Sequence, residues 1–189
     1  MGATVFKGNP TIETERLILR KLTMDDLEDI FAYSSDPEVT AYMLWDTHVT
    51  IDDSKKFIRF TLDRYEKDEA GEWGIILKET GRLIGCAGFA WMDMKNRRAE
   101  IGYVLGKPYW GKGYMPEAAL RMLAFAFEDM GLNRIECYHL LPNEKSGRVM
   151  QKLGMTYEGT AREQTFTKGR FWDVKQYAIL KSEWEKNNS

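Results

Sequence analysis

The sequence has few of the residues that metal sites and disulfide scaffolds need. Its 189 residues include two cysteines and two histidines. Cys86 and Cys137 lie far apart, with no further cysteine or histidine at ligand spacing, which argues against a zinc motif and a disulfide framework. Because His48 and His139 are the whole supply of imidazole, a histidine-based metal site or a Ser-His triad is also disfavoured. We therefore expect no bound metal and two free thiols in a reducing compartment.

The sequence also lacks an excess of positive charge and a long hydrophobic run. Lys and Arg total 27 against 29 Asp and Glu, so the net charge is −2. Nucleic-acid surfaces need clustered cations, and a membrane span needs about 18 consecutive apolar residues; the sequence contains neither. The first ten residues, MGATVFKGNP, carry neither the basic nor the apolar stretch of a signal peptide. These absences predict a cytoplasmic protein that binds neither nucleic acid nor membranes.

What the sequence does contain is enough apolar material for a folded domain. Hydrophobic residues make up 43% and aromatic residues 13% of the chain. A chain of this length buries a substantial core in one unit. We therefore predict a single domain over residues 1–189, with residues 1–12 as a loose N-terminal segment.

Hydrophobic periodicity predicts seven strands and four helices. The strands are expected at 14–22, 72–78, 82–92, 98–105, 133–141, 155–166 and 170–180. The helices are expected at 23–36, 50–68, 115–130 and 143–153, and Thr23 with Asp26 and Thr50 with Asp53 have the spacing of capping boxes. This order predicts an α/β fold of the α+β type: a mixed, mostly antiparallel sheet of about seven strands, flanked by about four helices, with one central parallel βαβ unit.

A glycine-rich stretch, LGKPYWGKGY (105–114), precedes the most regular of these helices, 115–130. The stretch comes close to two phosphate-binding motifs without completing either. A P-loop needs Ser or Thr after its Lys, where Gly113 stands, and Pro108 removes a main-chain donor. A dinucleotide motif needs a third glycine, where Pro116 stands.

Two interpretations of this stretch remain. It is either a plain strand-to-helix turn or an anion site, in which the N-terminus of the helix binds a pyrophosphate without magnesium. Gly111 and Gly113 favour the anion site, because glycine lets the main chain approach an anion closely. Lys112 adds a positive charge beside them.

Together with the rest of the chain, this stretch resembles the GNAT superfamily of acyl-CoA-dependent N-acetyltransferases. Within it, the chain resembles the RimJ/RimL-like ribosomal-protein N-terminal acetyltransferases. The matching segments cover nearly the whole chain in order: ETERLILRKLTMDDLEDIF (13–31), AEIGYVL (99–105), the loop and helix at 108–120, FAFEDMGLNRIECYHLLPNEKSGRVMQKLGMTYEG (125–159) and GRFWDVKQYAIL (169–180). The resemblance implies acetyl-CoA as co-substrate and no metal.

The resemblance also implies which residues bind acetyl-CoA. The strand end at Tyr103, Val104 and Leu105 is expected to hydrogen-bond the pantetheine arm, and one of its amides to polarise the thioester carbonyl. The pyrophosphate loop is expected to comprise Trp110, Gly111, Lys112, Gly113, Tyr114 and Met115. Loops of the superfamily usually end in Gly or Ala, so Met115 departs from the pattern and bears on how closely its amide approaches the pyrophosphate.

Glu100 is the predicted catalytic base. It shares one face of its strand with Gly102, and a carboxylate pointing into a cleft takes a proton directly or through water. The alternative is a surface glutamate paired with a neighbouring arginine. Glu136 and Glu72 are the reserve candidates for the base.

Asn143 and Ser146 match an N-x-x-S pattern of the family at the start of a helix. The resemblance implies that both contact the cofactor, and that Ser146 lies near the sulfur as catalytic acid for the leaving thiolate. Both residues are also ordinary at a helix N-terminus, where Asn is a good cap. Many relatives outside this branch have a Tyr further along the helix, where this chain has Met150.

The acceptor is the least defined part of the expected reaction. The branch implies the α-amino group of a protein N-terminus, such as that of a ribosomal protein. A small-molecule amine (a polyamine, an aminoglycoside or an amino-acid derivative) is the second candidate, and a non-catalytic acyl-CoA-binding module is the third. The polar and aromatic loop at 36–50 is expected to contact the acceptor, with His48 incidental, in a monomer or homodimer. The groove is expected to be lined by Trp91, Trp110, Trp172 and Tyr103.

Overall fold

The computed structural model describes residues 8–67 and 69–187. The protein contains one eight-stranded sheet with the order β1-β2-β3-β4-β5-β6-β8-β7. The strands are β1 (Ile12–Glu13), β2 (Leu17–Lys21), β3 (Glu72–Leu77), β4 (Leu83–Asp93), β5 (Arg98–Leu105), β6 (Arg134–Leu140), β7 (Thr156–Thr167) and β8 (Arg170–Leu180). Every neighbouring pair is antiparallel except β5 and β6. The predicted mixed, mostly antiparallel sheet with one parallel βαβ unit is confirmed.

Within residues 8–67 and 69–187, six α-helices accompany the sheet, two more than the sequence pattern indicated. They are α1 (Leu27–Ser34), α2 (Pro37–Thr40), α3 (Ile51–Glu66), α4 (Tyr114–Ala124), α5 (Glu144–Lys152) and α6 (Lys181–Asn187). The additional ones are the short α2, in which Pro37 takes the first position after an Asp36 cap, and the C-terminal α6. No helix of the described residues is long and apolar enough to cross a membrane.

Residues 9–12, which belong to the segment expected to be loose, make defined contacts with the sheet. The Asn9 amide donates to the Gly71 carbonyl (2.9 Å) and accepts the Gly71 N–H (3.2 Å). Ile12 is buried and begins an eighth strand beside β2. A polar side chain that satisfies a buried main chain fixes this segment without any periodic pattern. The rest of the predicted segment, residues 1–7, lies outside the described residues.

Each face of the sheet buries its own apolar core. The face that packs against α4 and α5 is called the α4 face, and the face that packs against α1 and α3 is called the α3 face. Side chains alternate along a strand, so β5 contributes to both. Its residues in the α4-face core are Ala99, Ile101, Tyr103 and Leu105. Its residues on the α3 face are therefore Glu100, Gly102 and Val104.

Helix α4 has the buried side that its periodicity predicts. The eight apolar positions are all 4% exposed or less: Met115, Ala118, Ala119, Met122, Leu123, Ala126, Phe127 and Met130. The last turn, Phe125–Asp129, widens into a π-helix, which ends at Gly131 with a φ of 65°. Because this helix is anchored in the core along its length, it fixes the position of the glycine-rich stretch before it.

Candidate active site

The two parallel strands at the centre of the sheet separate halfway along their length. The β5–β6 ladder contains three pairs, and the last of them joins Glu100 to Glu136. Beyond this pair β5 continues to pair with β4 alone, as far as Leu105. The strands therefore enclose a wedge-shaped opening between residues 101–105 and residues 137–140, in the middle of the sheet.

The main chain of β5 presents every second residue to this opening. The Gly106 N–H donates to the Ile84 carbonyl of β4 (2.9 Å), which sets the phase of the antiparallel ladder. Hydrogen bonding alternates along such a ladder, so the even-numbered residues of β5 bond to β4. The N–H and C=O groups of Ile101, Tyr103 and Leu105 therefore point into the opening.

Side chains already bond two of these three carbonyls. The Cys137 thiol donates to the Ile101 carbonyl (3.3 Å), and the Trp110 indole donates to the Leu105 carbonyl (2.6 Å). The main chain of Tyr103 lies between them. Of the three residues expected to hydrogen-bond a pantetheine arm, Tyr103 is thus the best placed, whereas the main chain of Val104 pairs with β4.

The glycine-rich stretch forms a loop whose main chain is left uncovered. Gly111 and Gly113 have φ angles of 76° and 81°, in the left-handed region that favours glycine, and Gly113 is the N-cap of α4. A Cβ at Gly111 would meet no heavy atom within 4 Å. The Met115 side chain is buried in the α4-face core, so its size does not obstruct the loop. The N-terminus of a helix with open space before it is suited to an anion.

An arginine from the turn before β2 braces this loop. The Arg16 guanidinium donates to Glu117 Oε2 (2.6 Å) and to the Lys112 carbonyl (3.0 Å), and it lies 4.5 Å from the centre of the Tyr114 ring. Glu117 is in the first turn of α4, and its Oε1 also accepts the Thr14 hydroxyl (2.5 Å). The Arg16 guanidinium thus neutralises the Glu117 carboxylate, which would otherwise repel an anion at the N-terminus of α4. Sequence reasoning missed it, because its partners lie about a hundred residues apart.

Two hydroxyl groups meet across the opening. The Tyr103 hydroxyl lies 3.0 Å from Ser146 Oγ and 3.1 Å from the Ser146 carbonyl, so the side chain of β5 reaches the first turn of α5. Asn143 caps α5, and its Oδ1 accepts the Ser146 N–H (3.4 Å). Burial raises the pKa of Tyr103 well above its usual value. The predicted acid Ser146 therefore has a phenol partner that the sequence pattern did not indicate.

Close packing holds α5 and the loop on either side of the opening. The ring of His139 lies against Gly147, where a Cβ would come within 2.7 Å of Nε2, so the residue after Ser146 has room for glycine only. The Lys145 ammonium lies 4.1 Å from the centre of the Trp110 ring. This cation–π contact joins α5 to the loop.

On the α3 face, the predicted base Glu100 lies beside the point where the strands separate. Burial raises the pKa of Glu100; the Trp91 side chain opposes the rise and the Glu136 carboxylate adds to it. Glu136 is bonded to Arg134 (2.8 Å) and lies 3.6 Å from Arg98. The Glu136 carboxylate is thus already engaged by two guanidinium groups, and the first reserve candidate is less available for the role than Glu100.

The polar and aromatic loop predicted to contact the acceptor extends over the α3 face. The Lys168 ammonium, in the β7–β8 turn, donates to the Trp45 carbonyl (2.6 Å) and to Asp46 (3.0 Å). Trp45 packs against the α3-face core, and the rings of Tyr42 and Trp172 meet edge to face at 6.2 Å. The loop thus joins the end of α1 to the β7–β8 hairpin on the α3 face.

His48 has a local partner within this loop. The His48 Nδ1 atom lies 2.7 Å from Ser54 Oγ. The main-chain N–H of His48 donates to the Ser34 carbonyl (3.0 Å). Burial lowers the pKa of the imidazole. These contacts stabilise the loop at its junction with α1 and α3.

A comparison with known protein families identifies the family to which this chain belongs. A family model described as "Acetyltransferase (GNAT) domain" matches residues 16–156. The chain belongs to the GNAT acetyltransferases. It is therefore an acyltransferase, and more narrowly an N-acetyltransferase, as the resemblance implied.

Individual GNAT proteins match over almost the whole chain. "Uncharacterized N-acetyltransferase p20" of Bacillus licheniformis is 38% identical over 92% of this chain and 98% of its own length. The crystal structure of a GNAT-family acetyltransferase from Bacillus anthracis superposes with a TM-score of 0.82 at 31% identity, covering 92% of this chain and 99% of that one. Structures of two acetyltransferases of lower identity have been solved, one with acetyl-CoA and AMP and the other with coenzyme A.

Two further relatives carry different acceptors in their names. "Putative ribosomal N-acetyltransferase YdaF" of Bacillus subtilis is 38% identical over 56% of this chain and 57% of its own length. "Spermidine N(1)-acetyltransferase" of Vibrio cholerae is 24% identical over 89% of this chain and 95% of its own length. Similarity to these proteins defines the reaction type without selecting one acceptor.

Proposed function

We propose that this GNAT enzyme transfers an acetyl group from acetyl-CoA by direct attack of a primary amine. The observation that carries the proposal is the opening between β5 and β6, into which Tyr103 presents a main-chain N–H and C=O. Acetyl-CoA supplies the thioester-activated acetyl group when it is bound. Residues around the opening are suited to the pantetheine arm of acetyl-CoA and to its pyrophosphate.

The acyl-donor site is built mainly from main-chain groups. Tyr103 and Leu105 are suited to hydrogen-bond a pantetheine arm, and Asn143 stands beside its path at the start of α5. The loop from Trp110 to Met115 is suited to a pyrophosphate, because Gly111 leaves open space and the helix N-terminus favours negative charge. The same features explain why no magnesium ligand follows Lys112.

Acyl transfer includes two proton transfers, and we assign them to residues on opposite faces of the sheet. As the amine nitrogen bonds to the carbonyl carbon and the carbon–sulfur bond breaks, the nitrogen loses a proton and the leaving thiolate gains one. Glu100, on the α3 face, receives the proton from nitrogen. Ser146 with Tyr103, on the α4 face, donates the proton to sulfur.

For the acceptor we propose the α-amino group of a protein N-terminus, as in the RimJ/RimL-like branch. The name of the similar ribosomal N-acetyltransferase of Bacillus subtilis supports it. A polyamine or another small amine is the second candidate, supported by the name of the spermidine acetyltransferase of Vibrio cholerae. The aromatic loop over the α3 face, with Tyr42 and Trp45, is the surface expected to discriminate between them.

Release of free thiol from acetyl-CoA, followed with DTNB, tests the activity. The acceptors are a panel of peptides with free α-amino groups, N-acetylated forms of the same peptides, spermidine and an aminoglycoside. We expect release only with free amines and a kcat/KM that is highest for a peptide. Tight coenzyme A binding without turnover of any acceptor would instead indicate a non-catalytic acyl-CoA-binding module.

Mass spectrometry identifies the natural acceptor. Cell extract is incubated with the protein and isotope-labelled acetyl-CoA, and labelled N-termini and labelled small amines are counted separately. The expectation of a cytoplasmic monomer or homodimer stays a prediction, which fractionation and light scattering test.

A further inference from the structure

On the α3 face, the carboxylate of Glu72 lies beside two strands that have glycine at the positions opposite it. Glu72 begins β3 directly opposite Gly88 on β4, and Gly88 lies opposite Gly102 on β5. Directly opposed residues share a face of the sheet, so these three form a row. A Cβ at Gly88 would come within 2.6 Å of Glu72 Oε2. The carboxylate therefore reaches from β3 over β4 toward β5.

The far end of this row is open. A Cβ at Gly102 would meet no heavy atom within 4 Å. Gly102 directly precedes Tyr103, whose main chain faces the opening between β5 and β6. Glu72 thus faces an open space that adjoins the proposed position of the reacting acetyl group.

Glu72, like Glu100 on the same face, has no salt-bridge partner among the described residues, unlike several other carboxylates that are withdrawn from solvent. Among the described residues, no lysine or arginine lies within 4.0 Å of it. Three other carboxylates that are withdrawn from solvent are paired with arginine at 2.6 to 2.8 Å: Asp26 with Arg20, Glu117 with Arg16, and Glu136 with Arg134. A desolvated carboxylate without a partner is unfavourable in its charged form. An arriving ammonium ion would supply the missing charge.

The surroundings of Glu72 bring the pKa of its carboxyl close to neutral pH. Burial raises the pKa of Glu72 to about 7, and Arg64 of α3 opposes the rise. The other titratable groups that face it are Tyr33 of α1, Tyr65 of α3 and Cys86 of β4. Burial raises the pKa of each of these three, so they are uncharged near neutral pH. Arg64 is then the one charged neighbour among these groups.

We propose that Glu72 binds the acceptor as an ammonium ion and removes its first proton, before Glu100 receives the second. The assignment rests on the proposed N-acetyltransferase function. An amine with a pKa of about 8 to 10 is mostly protonated at neutral pH and cannot attack until it loses that proton. The proton passes from nitrogen to the Glu72 carboxylate, no other bond changes, and the partly exposed acid then returns it to solvent.

The test compares pH profiles of kcat/KM for wild type, Glu72→Gln and Glu100→Gln, with spermidine and a free-amino peptide as acceptors. In wild type, kcat/KM should rise with pH up to about 7 and then level, because Glu72 acts only when ionised. Glu72→Gln should lose about 100-fold at pH 7 and recover tenfold per pH unit, as free amine replaces the missing base. Glu79→Gln, an exposed glutamate in the β3–β4 turn, is the matched control.

Coenzyme A affinity of Glu72→Gln, measured by calorimetry, should equal that of wild type and shows that the variant is folded. If active wild type and Glu72→Gln have the same profile, or if the recovery with pH appears in Glu100→Gln alone, the role of Glu72 is overturned and the acetyltransferase function stands. If wild type turns over no amine at any pH, both fall together.

Discussion

The two faces of the central sheet are built on different principles, although both meet at the same opening. On the α4 face the proposed acyl-donor site consists of main-chain groups: the exposed edge of β5, a glycine loop and the N-termini of α4 and α5. On the α3 face the proposed acceptor site consists of side chains from separate elements, including Glu72, Glu100 and Trp45. One face is defined by backbone geometry and the other by side-chain assembly.

This difference suits the two partners of the reaction. The proposed donor, acetyl-CoA, is suited to recognition by main-chain geometry, which does not depend on side-chain identity where glycine allows it. An acceptor that differs among relatives must be recognised by side chains that vary. Changes on the α4 face should therefore alter coenzyme A binding or the departure of the thiolate, whereas changes on the α3 face should alter the acceptor dependence.

The Tyr103→Phe variant distinguishes the role of the Tyr103 hydroxyl from the role of the Tyr103 main chain. The hydroxyl beside Ser146 is lost, while the main-chain anchor in the opening remains. We expect kcat to fall about 100-fold, the usual scale for losing a catalytic acid, with coenzyme A affinity within twofold of wild type. Steady-state kinetics and calorimetry measure the two effects.

Tyr157→Phe is the control for Tyr103→Phe, because its hydroxyl lies 2.8 Å from the Thr160 hydroxyl on the edge strand β7, which β8 separates from β6 and the opening. An unchanged kcat in Tyr103→Phe together with a large loss in Ser146→Ala would leave Ser146 as the sole acid. A loss of coenzyme A affinity instead would mean that the Tyr103 hydroxyl is part of the donor site.

A methyl group added at Gly111 should obstruct the space proposed for the pyrophosphate. Gly111 and Gly81 both have positive φ angles, of 76° and 68°, and a Cβ at either meets nothing within 4 Å. Each change to Ala should cost about 1 kcal/mol of stability, because L-residues disfavour this backbone region. Gly111→Ala alone should also weaken coenzyme A binding, by about 20-fold or 1.8 kcal/mol.

Calorimetry for affinity and thermal melting for stability compare Gly111→Ala with Gly81→Ala. Equal affinities in the two variants would contradict the assignment of the loop to the pyrophosphate. A loss of affinity in both would point to general strain rather than to an occupied site.

The brace between Arg16 and Glu117 should contribute the smallest effect. Arg16→Met exposes the Glu117 charge to the pyrophosphate, and we expect coenzyme A affinity to fall about fivefold. The double variant Arg16→Met/Glu117→Gln should regain most of the loss, because the repelling charge is gone. A double-mutant cycle by calorimetry at two salt concentrations measures it. Additive losses would mean that the brace acts through loop packing alone.

The donor side of the protein was largely predictable from the sequence, and the acceptor side was not. The α4 periodicity, the glycines at 111 and 113 and the Asn143 cap are local signals, and each occupies the element that its pattern indicated. The Tyr103–Ser146 contact and the Arg16 brace join distant segments and have no local signature. Glu72 was recognised as a reserve base only by residue type, since nothing near it in the chain marks it as unpaired.

The sequence by itself determined the family, through a resemblance over nearly the whole chain. It also determined the longer strands and helices and the loop before α4, because glycine conformation, capping and apolar periodicity act over a few residues. The tertiary structure decided which β5 groups face the opening, which hydroxyl meets Ser146 and which glycines lie opposite Glu72. These depend on where β5 and β6 separate and on the register of β3, β4 and β5. Register and separation follow from the packing of the whole sheet between its helices, and no short segment encodes them.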